Sequence, residues 1–139
     1  MNQLDTIEPD FKAKVVELLV KLKAQGIACA VTSGRRTIAE QNELFAQGRT
    51  KPGQMVTKAK GGQSPHNFGF AVDLCPYRPG TKQLWWNCPD DIWHVIHDTA
   101  EAMGLDSGYD WKFQDCPHIE DRGWRTAQAK WQAGLLEVA

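Results

Sequence analysis

The sequence predicts an α+β fold: a small, mostly antiparallel sheet with helices packed on it. Three observations predict it. Apolar residues recur at three- and four-residue steps near both ends of the chain and again in its middle. Short apolar or β-branched runs lie between those segments. The length of 139 residues, 42% of them hydrophobic, suits one core and one domain spanning 1–139.

Taken in order, Asp10 to Gln25 reads as an amphipathic helix through Phe11, Val15, Leu18, Leu19 and Leu22, stopped by Gly26. Ile27 to Val31 is a candidate buried strand. Thr37 to Gln47 returns to helical spacing, with Thr37 as N-cap and Gly48 after the last turn. Arg49 to Gln63 has no period and reads as a long loop, a kind of segment that is usually functional or mobile. Gly69 to Leu74 reads as a strand carrying Asp73 near its end, and Pro76 to Pro89 as irregular chain broken by Pro79-Gly80. Asp90 to Met103 is a second strong amphipathic helix. Gly104 to Asp110 has mixed turn character, Pro117 to Glu120 is a short strand, and Gly123 to Leu136 a terminal helix through Trp124, Ala127, Trp131 and Leu135.

Charge and composition exclude more than they identify. A net charge of −1 gives no basic field to draw nucleic acid or an anionic membrane. No stretch reaches the ~18 apolar residues of a membrane span, so no membrane insertion is expected. Met1 to Phe11 lacks the basic start and apolar run of a signal peptide, which predicts synthesis in the cytosol. The 4 cysteines, Cys29, Cys75, Cys88 and Cys116, form no CxxC pair and are expected to be reduced thiols acting as small apolar residues. Six tryptophans are many for this length. Trp85 and Trp86 cannot share one face, so some aromatic surface is expected near a groove.

Histidine is scarce, at 4 residues, and two of them stand in informative surroundings. His66 lies in Ser64-Pro65-His66-Asn67-Phe68-Gly69-Phe70-Ala71-Val72-Asp73, and His118 in Asp115-Cys116-Pro117-His118. Two imidazoles and a carboxylate suit a catalytic zinc, which takes nitrogen and oxygen ligands and keeps one position open for water. Asp115, three residues before His118, stands where a general base could reach that water. On spacing alone, His66 and Asp73 read first as a satisfied structural pair, since His-x6-Asp arises often by chance.

These strings resemble a known family. The first resembles the SxHxxGxAxD signature of the D-alanyl-D-alanine carboxypeptidase and L-alanyl-D-glutamate peptidase family, and the second its (E/D)xxH element. Ser33-Gly34-Arg35-Arg36-Thr37, followed by Gln41 and Leu44, resembles the family's SGYRS-x-x-x-Q-x-x-L segment. Gly61-Gly62-Gln63 and Asp110-Trp111-Lys112 look most like the L-alanyl-D-glutamate endopeptidase branch of phage endolysins. The resemblance runs from Ile27 to Glu120, about two thirds of the chain.

It implies a hedgehog/DD-peptidase-like form of the fold, with Zn2+ held by His66, Asp73 and His118. It further implies Asp115 as catalytic base and Arg36 as the donor that binds substrate and steadies the oxyanion. Gln41, Ser64 and Trp111 are the expected substrate-binding residues. The implied partner is a peptidoglycan stem peptide, cut by a monomer acting as an endolysin once the membrane is permeabilised. Two other functions fit the same motifs: a D-alanyl-D-alanine carboxypeptidase or dipeptidase, and a zinc-stabilised wall-binding module without catalysis. Arg35 departs from the pattern, standing where the family has tyrosine.

Several of these residues also have plainer readings. Asp115 could cap a turn, Arg36 could pair on the surface, and Trp111 could be core instead of cleft wall. Ser64 lacks a base of its own and reads as a hydrogen-bonding residue, not a nucleophile. His94 and His97 are rival metal candidates but lack an HExxH pattern, and read as packing or surface histidines. Cys116 reads as pointing away from any ligand set. Lys51, Lys58 and Lys60 read as a solvated loop that could also attract an anionic polymer.

Overall fold

The computed structural model describes residues 2–139. Helix α1 (Pro9–Ala24) begins with a proline in its first turn, and the Glu8 side chain accepts a hydrogen bond from the Phe11 amide at 3.0 Å. Phe11, Val15, Leu18 and Leu22 form its buried stripe. Strand β1 (Cys29–Ser33) leads to α2 (Ile38–Ala46), which opens with a capping box: Thr37 accepts from the Glu40 amide and Glu40 from the Thr37 amide, each at 3.0 Å. A 3-10 turn at Pro65–Phe68 precedes β2 (Ala71–Pro76). Helix α3 (Asp90–Ala102), β3 (Asp106–Gly108), β4 (Asp115–Glu120) and α4 (Trp124–Gln132) complete the chain.

The four strands form one antiparallel sheet in the order β1-β2-β4-β3, so the expected α+β architecture is the one observed. Side chains alternate across a strand. Val72, Leu74 and Ile119 therefore point to one face, where they meet the stripe of α1 and Trp93, Ile96 and Ala100 of α3. Asp73 and His118 point to the other. Hydrophobic burial on the first face holds the second face in shape.

Three elements depart from expectation. The stretch read as turn between α3 and β4 contains β3, whose three residues are too few to show a period. The last helix stops at Gln132, short of Leu136, because Gly134 takes a left-handed φ of 75° that ends the helical run. The 3-10 turn around His66 carries no helical spacing and gave no signal of its own. All four cysteines are free, and burial pushes the Cys29 thiol up to about 12 and that of Cys88 to about 11, with neighbouring thiols adding to the effect. Trp85 packs against the core while Trp86 is 50% exposed; the aromatics that line the cleft are others.

Leu18 has 0% exposure, and its truncation removes buried contacts and leaves a cavity in the core. Leu18→Ala is expected to lower unfolding free energy by about 2–5 kcal/mol in denaturant titration. A polar tie also links α1 to the β4–α4 turn, where Lys14 Nζ meets Asp121 Oδ2 at 2.7 Å. Burial raises the Asp121 carboxyl, but Lys14 and the Gly123 amide outweigh it and hold the group below its ordinary value. Stability from a depressed carboxyl is present above the unfolded pKa of about 4 and disappears as pH falls through the lower folded one. Asp121→Asn should therefore cost about 0.5–1 kcal/mol at neutral pH, since the half-exposed Lys14 is screened by solvent, and the gap to wild type should close in acid melts below that range.

Candidate active site

Two central strands present the first donors. In the β2–β4 register Asp73 lies directly opposite His118, on the face away from the core. Glu120 shares that face, two residues on, and its Oε1 accepts from His118 Nε2 at 2.8 Å. This bond leaves His118 Nδ1 with its lone pair toward Asp73 Oδ1, 3.8 Å away.

Asp115 and His118 are an odd number of residues apart, so a regular strand would send them to opposite faces. An irregularity prevents this: one step on β3, Ser107 to Gly108, spans Ile119 to Asp115 on β4. Pro117, which has no amide hydrogen for a ladder, falls inside the interruption. Asp115 Oδ2 thereby stands 4.0 Å from His118 Nδ1. Gly108 permits the close approach, since a Cβ there would lie 2.5 Å from the Asp115 carbonyl oxygen.

His66 arrives from the 3-10 turn. Ser64 Oγ accepts from the His66 amide at 3.2 Å, Pro65 follows, and Gly69 ends the turn in the left-handed region at φ 79°. Phe68 anchors the turn beneath α4, stacked with Trp124 and edge-on to Trp131. His66 Nδ1 donates to the Gly34 carbonyl at 2.8 Å, which leaves Nε2 as the free lone pair, 3.6 Å from Asp73 Oδ1.

His66, Asp73 and His118 thus bring one ligand atom each within 4.8 Å of one another. These separations exceed hydrogen-bond length and suit atoms sharing a cation at ~2.0–2.2 Å. Each imidazole is oriented by a bond at its other nitrogen, as metal-binding histidines are. The residues fit a divalent ion with nitrogen and oxygen ligands.

Arg36 and Asp115 flank this set. Arg36 Nη2 lies 3.9 Å from Asp73 Oδ2, and Nη1 donates to Gln41 Oε1 at 2.9 Å. Burial raises the Asp73 carboxyl, but His66, His118 and Arg36 together hold it below the ordinary value. Asp115 moves the other way: partial burial lifts it and the charge of Asp73 adds to the lift, against opposition from His118, His66 and Arg36. Two carboxylates side by side are thereby given different proton affinities.

Both stand in a cleft of about 1050 Å³, lined also by Val56, Thr57, Lys58, Trp111, Phe113 and Arg125. Trp111 is 41% exposed with its ring centroid 5.0 Å from that of His118, a cleft-wall position and not a core one. Ser64 lines the cleft but is 5% exposed and occupied in capping the His66 turn. Gln41 is 1% exposed, its Oε1 held by Arg36 and its Nε2 donating to the Ala59 carbonyl at 2.8 Å. Its contact with the cleft is therefore indirect, through Arg36. Arg35 points elsewhere, its Nε donating to the Thr6 carbonyl at 2.9 Å, so the departure from tyrosine ties down the N-terminal segment. Cys116 packs against the core. His94 and His97 stand apart from His66 and His118, on α3.

Sequence reasoning passed over Glu120 and Asn67. Glu120 bonds both His118 and, at 3.1 Å, Trp124 Nε1. A carboxylate two residues beyond a candidate ligand histidine on a strand was the available signal. Asn67 has 0% exposure, donates to the Arg36 carbonyl at 2.9 Å and accepts from the Gly62 amide at 2.9 Å. It joins loops far apart in sequence, for which no local pattern exists.

Comparison with known proteins identifies the family. The D-alanyl-D-alanine carboxypeptidase (VanY) family profile matches residues 5–126. The peptidoglycan L-alanyl-D-glutamate endopeptidase CwlK of Bacillus subtilis (strain 168) is 36% identical over 122 residues, covering 82% of this chain and 72% of that protein. The crystal structure of the Serratia marcescens L-Ala D-Glu endopeptidase ChiX superposes with TM-score 0.59 at 22% identity, covering 91% of this chain and 87% of that one. The vancomycin-resistance D,D-pentapeptidase VanY in complex with Zn(II) gives TM-score 0.60 at 18% identity, covering 93% of this chain and 80% of that one. Sequence match and shared fold together show that the chain belongs to the VanY family of peptidases.

Proposed function

We propose that the protein is a zinc-dependent endopeptidase that hydrolyses the bond between L-alanine and D-glutamate in peptidoglycan stem peptides. The observation that carries the reading is the meeting of His66 Nε2, Asp73 Oδ1 and His118 Nδ1, with Asp115 and Arg36 beside them. Identity to CwlK supports the choice of bond. Gly61-Gly62-Gln63 and Asp110-Trp111-Lys112 support a setting in which the enzyme reaches the wall as an endolysin.

In this reading His66, Asp73 and His118 hold zinc, which when bound supplies a Lewis acid that activates water and polarises a carbonyl. Asp115 takes the proton of the attacking water as the new C–O bond forms. It then gives that proton to the amine nitrogen as the C–N bond breaks. Arg36, steadied by Gln41 and Ser33, donates to the oxygen that becomes negative. Trp111 and Phe113 form an apolar wall for the peptide, and Lys58, 5.5 Å over the Phe113 ring, offers a cation to its carboxylates.

Digestion of purified peptidoglycan by the zinc-loaded protein should generate new D-glutamate amino termini, identified by end-group labelling. Released D-alanine in their place would assign the carboxypeptidase reaction, and no cleavage at all would favour a binding module. Asp115→Ala should lower kcat roughly 10²–10⁴-fold with zinc content unchanged by metal analysis. Wild-type turnover in that variant would remove Asp115 from the mechanism.

A further inference from the structure

We propose that His97, Glu101 and Asp110 form a second metal site, for a borderline divalent transition ion such as zinc, that braces the wall of the cleft. His97 and Glu101 are one helical turn apart on α3 and share a face. Asp110 comes to them from the turn after β3. One ligand atom from each lies within 4.8 Å of the others, the spacing also found for His66, Asp73 and His118.

The geometry is that of donors around a common centre, not of a hydrogen-bonded cluster. His97 Nε2 stands 3.9 Å from Glu101 Oε1 and 4.0 Å from Asp110 Oδ2, beyond hydrogen-bond reach in both directions. Among the described residues neither carboxylate has another ion-pair partner within 4.0 Å, while nearby Arg122 is engaged by Asp106. His97 is unusual in its own right. Its side chain is only 12% exposed, and its Nδ1 is buried with no hydrogen-bond partner. Unlike His66 and His118, it has no bond at its other nitrogen to orient the ring toward the carboxylates.

What fixes the ring is aromatic contact. Tyr109 lies 5.3 Å from His97 and 5.6 Å from His94, centroid to centroid, and its hydroxyl donates to Asp90 Oδ2 at 2.7 Å. A pre-set imidazole facing two carboxylates is a donor set for zinc and its neighbours in softness, whereas calcium and magnesium prefer oxygen alone. Glu101 and Asp110 line the same cleft as Asp115, and Trp111 follows Asp110 in the chain. An ion here would tie that wall to α3.

Imidazole 1H–15N spectra during zinc titration, assigned with His97→Gln, read each histidine separately. Zinc should shift the His97 ring signals, and the Glu101→Gln/Asp110→Asn double variant, altered only at solvent-accessible side chains, should lose that shift and one bound equivalent. His97 signals that stay fixed in excess zinc, or equal metal content in wild type and double variant, would overturn the proposal. Silence of His66 and His118 with a responding His97 would count against the catalytic-site reading alone.

Discussion

Asp73 and His118 face each other across two hydrogen-bonded strands, and this pairing governs the rest of the site. The register of β2 on β4 is fixed from the opposite face, where Val72, Leu74 and Ile119 are buried against α1 and α3. A slip of one residue would exchange the two faces, burying a carboxylate and an imidazole in the apolar core. The free energy that keeps apolar groups out of water is thus what keeps the donors in register. His66, Arg36 and Asp115 are then brought to a point already defined.

Around the donors lies a set of polar groups with little freedom. The Gly34 carbonyl orients one imidazole and Glu120 the other, while Gln41 holds Arg36 and Asn67 ties together the loops that carry them. A buried polar group without a partner costs roughly 1–3 kcal/mol, and each of these has its partner. Satisfaction of the network gives the site one arrangement in place of several. Rigid donors suit chemistry in which charge develops quickly, because little reorganisation is then required.

Much of this was legible in the sequence, for identifiable reasons. Helices α1 and α3 bury one stripe each and so show their period, and Thr37 with Glu40 marks the start of α2 by local chemistry. His66, Asp73, Asp115, His118 and Arg36 stood out because their motifs are contiguous. What was not legible depends on contacts distant in the chain. Strand β3 is three residues long and exists through its partner β4. Gln41 was expected to meet substrate, but its burial follows from the packing of residues 57–59 over α2, which no spacing encodes. Glu120 gains its role only once α4 brings Trp124 to it.

The sheet order has a mechanical consequence. Asp73 and His118 ride on the two inner strands, whereas Trp111 and Phe113 stand in the connection that joins the short outer strand β3 to β4. Outer strands with few ladder bonds open at lower free energy than inner ones. The molecule therefore joins a stiff jaw to a compliant one. A branched, cross-linked polymer can displace the aromatic wall while Asp73 and His118, paired on the inner strands, keep their spacing.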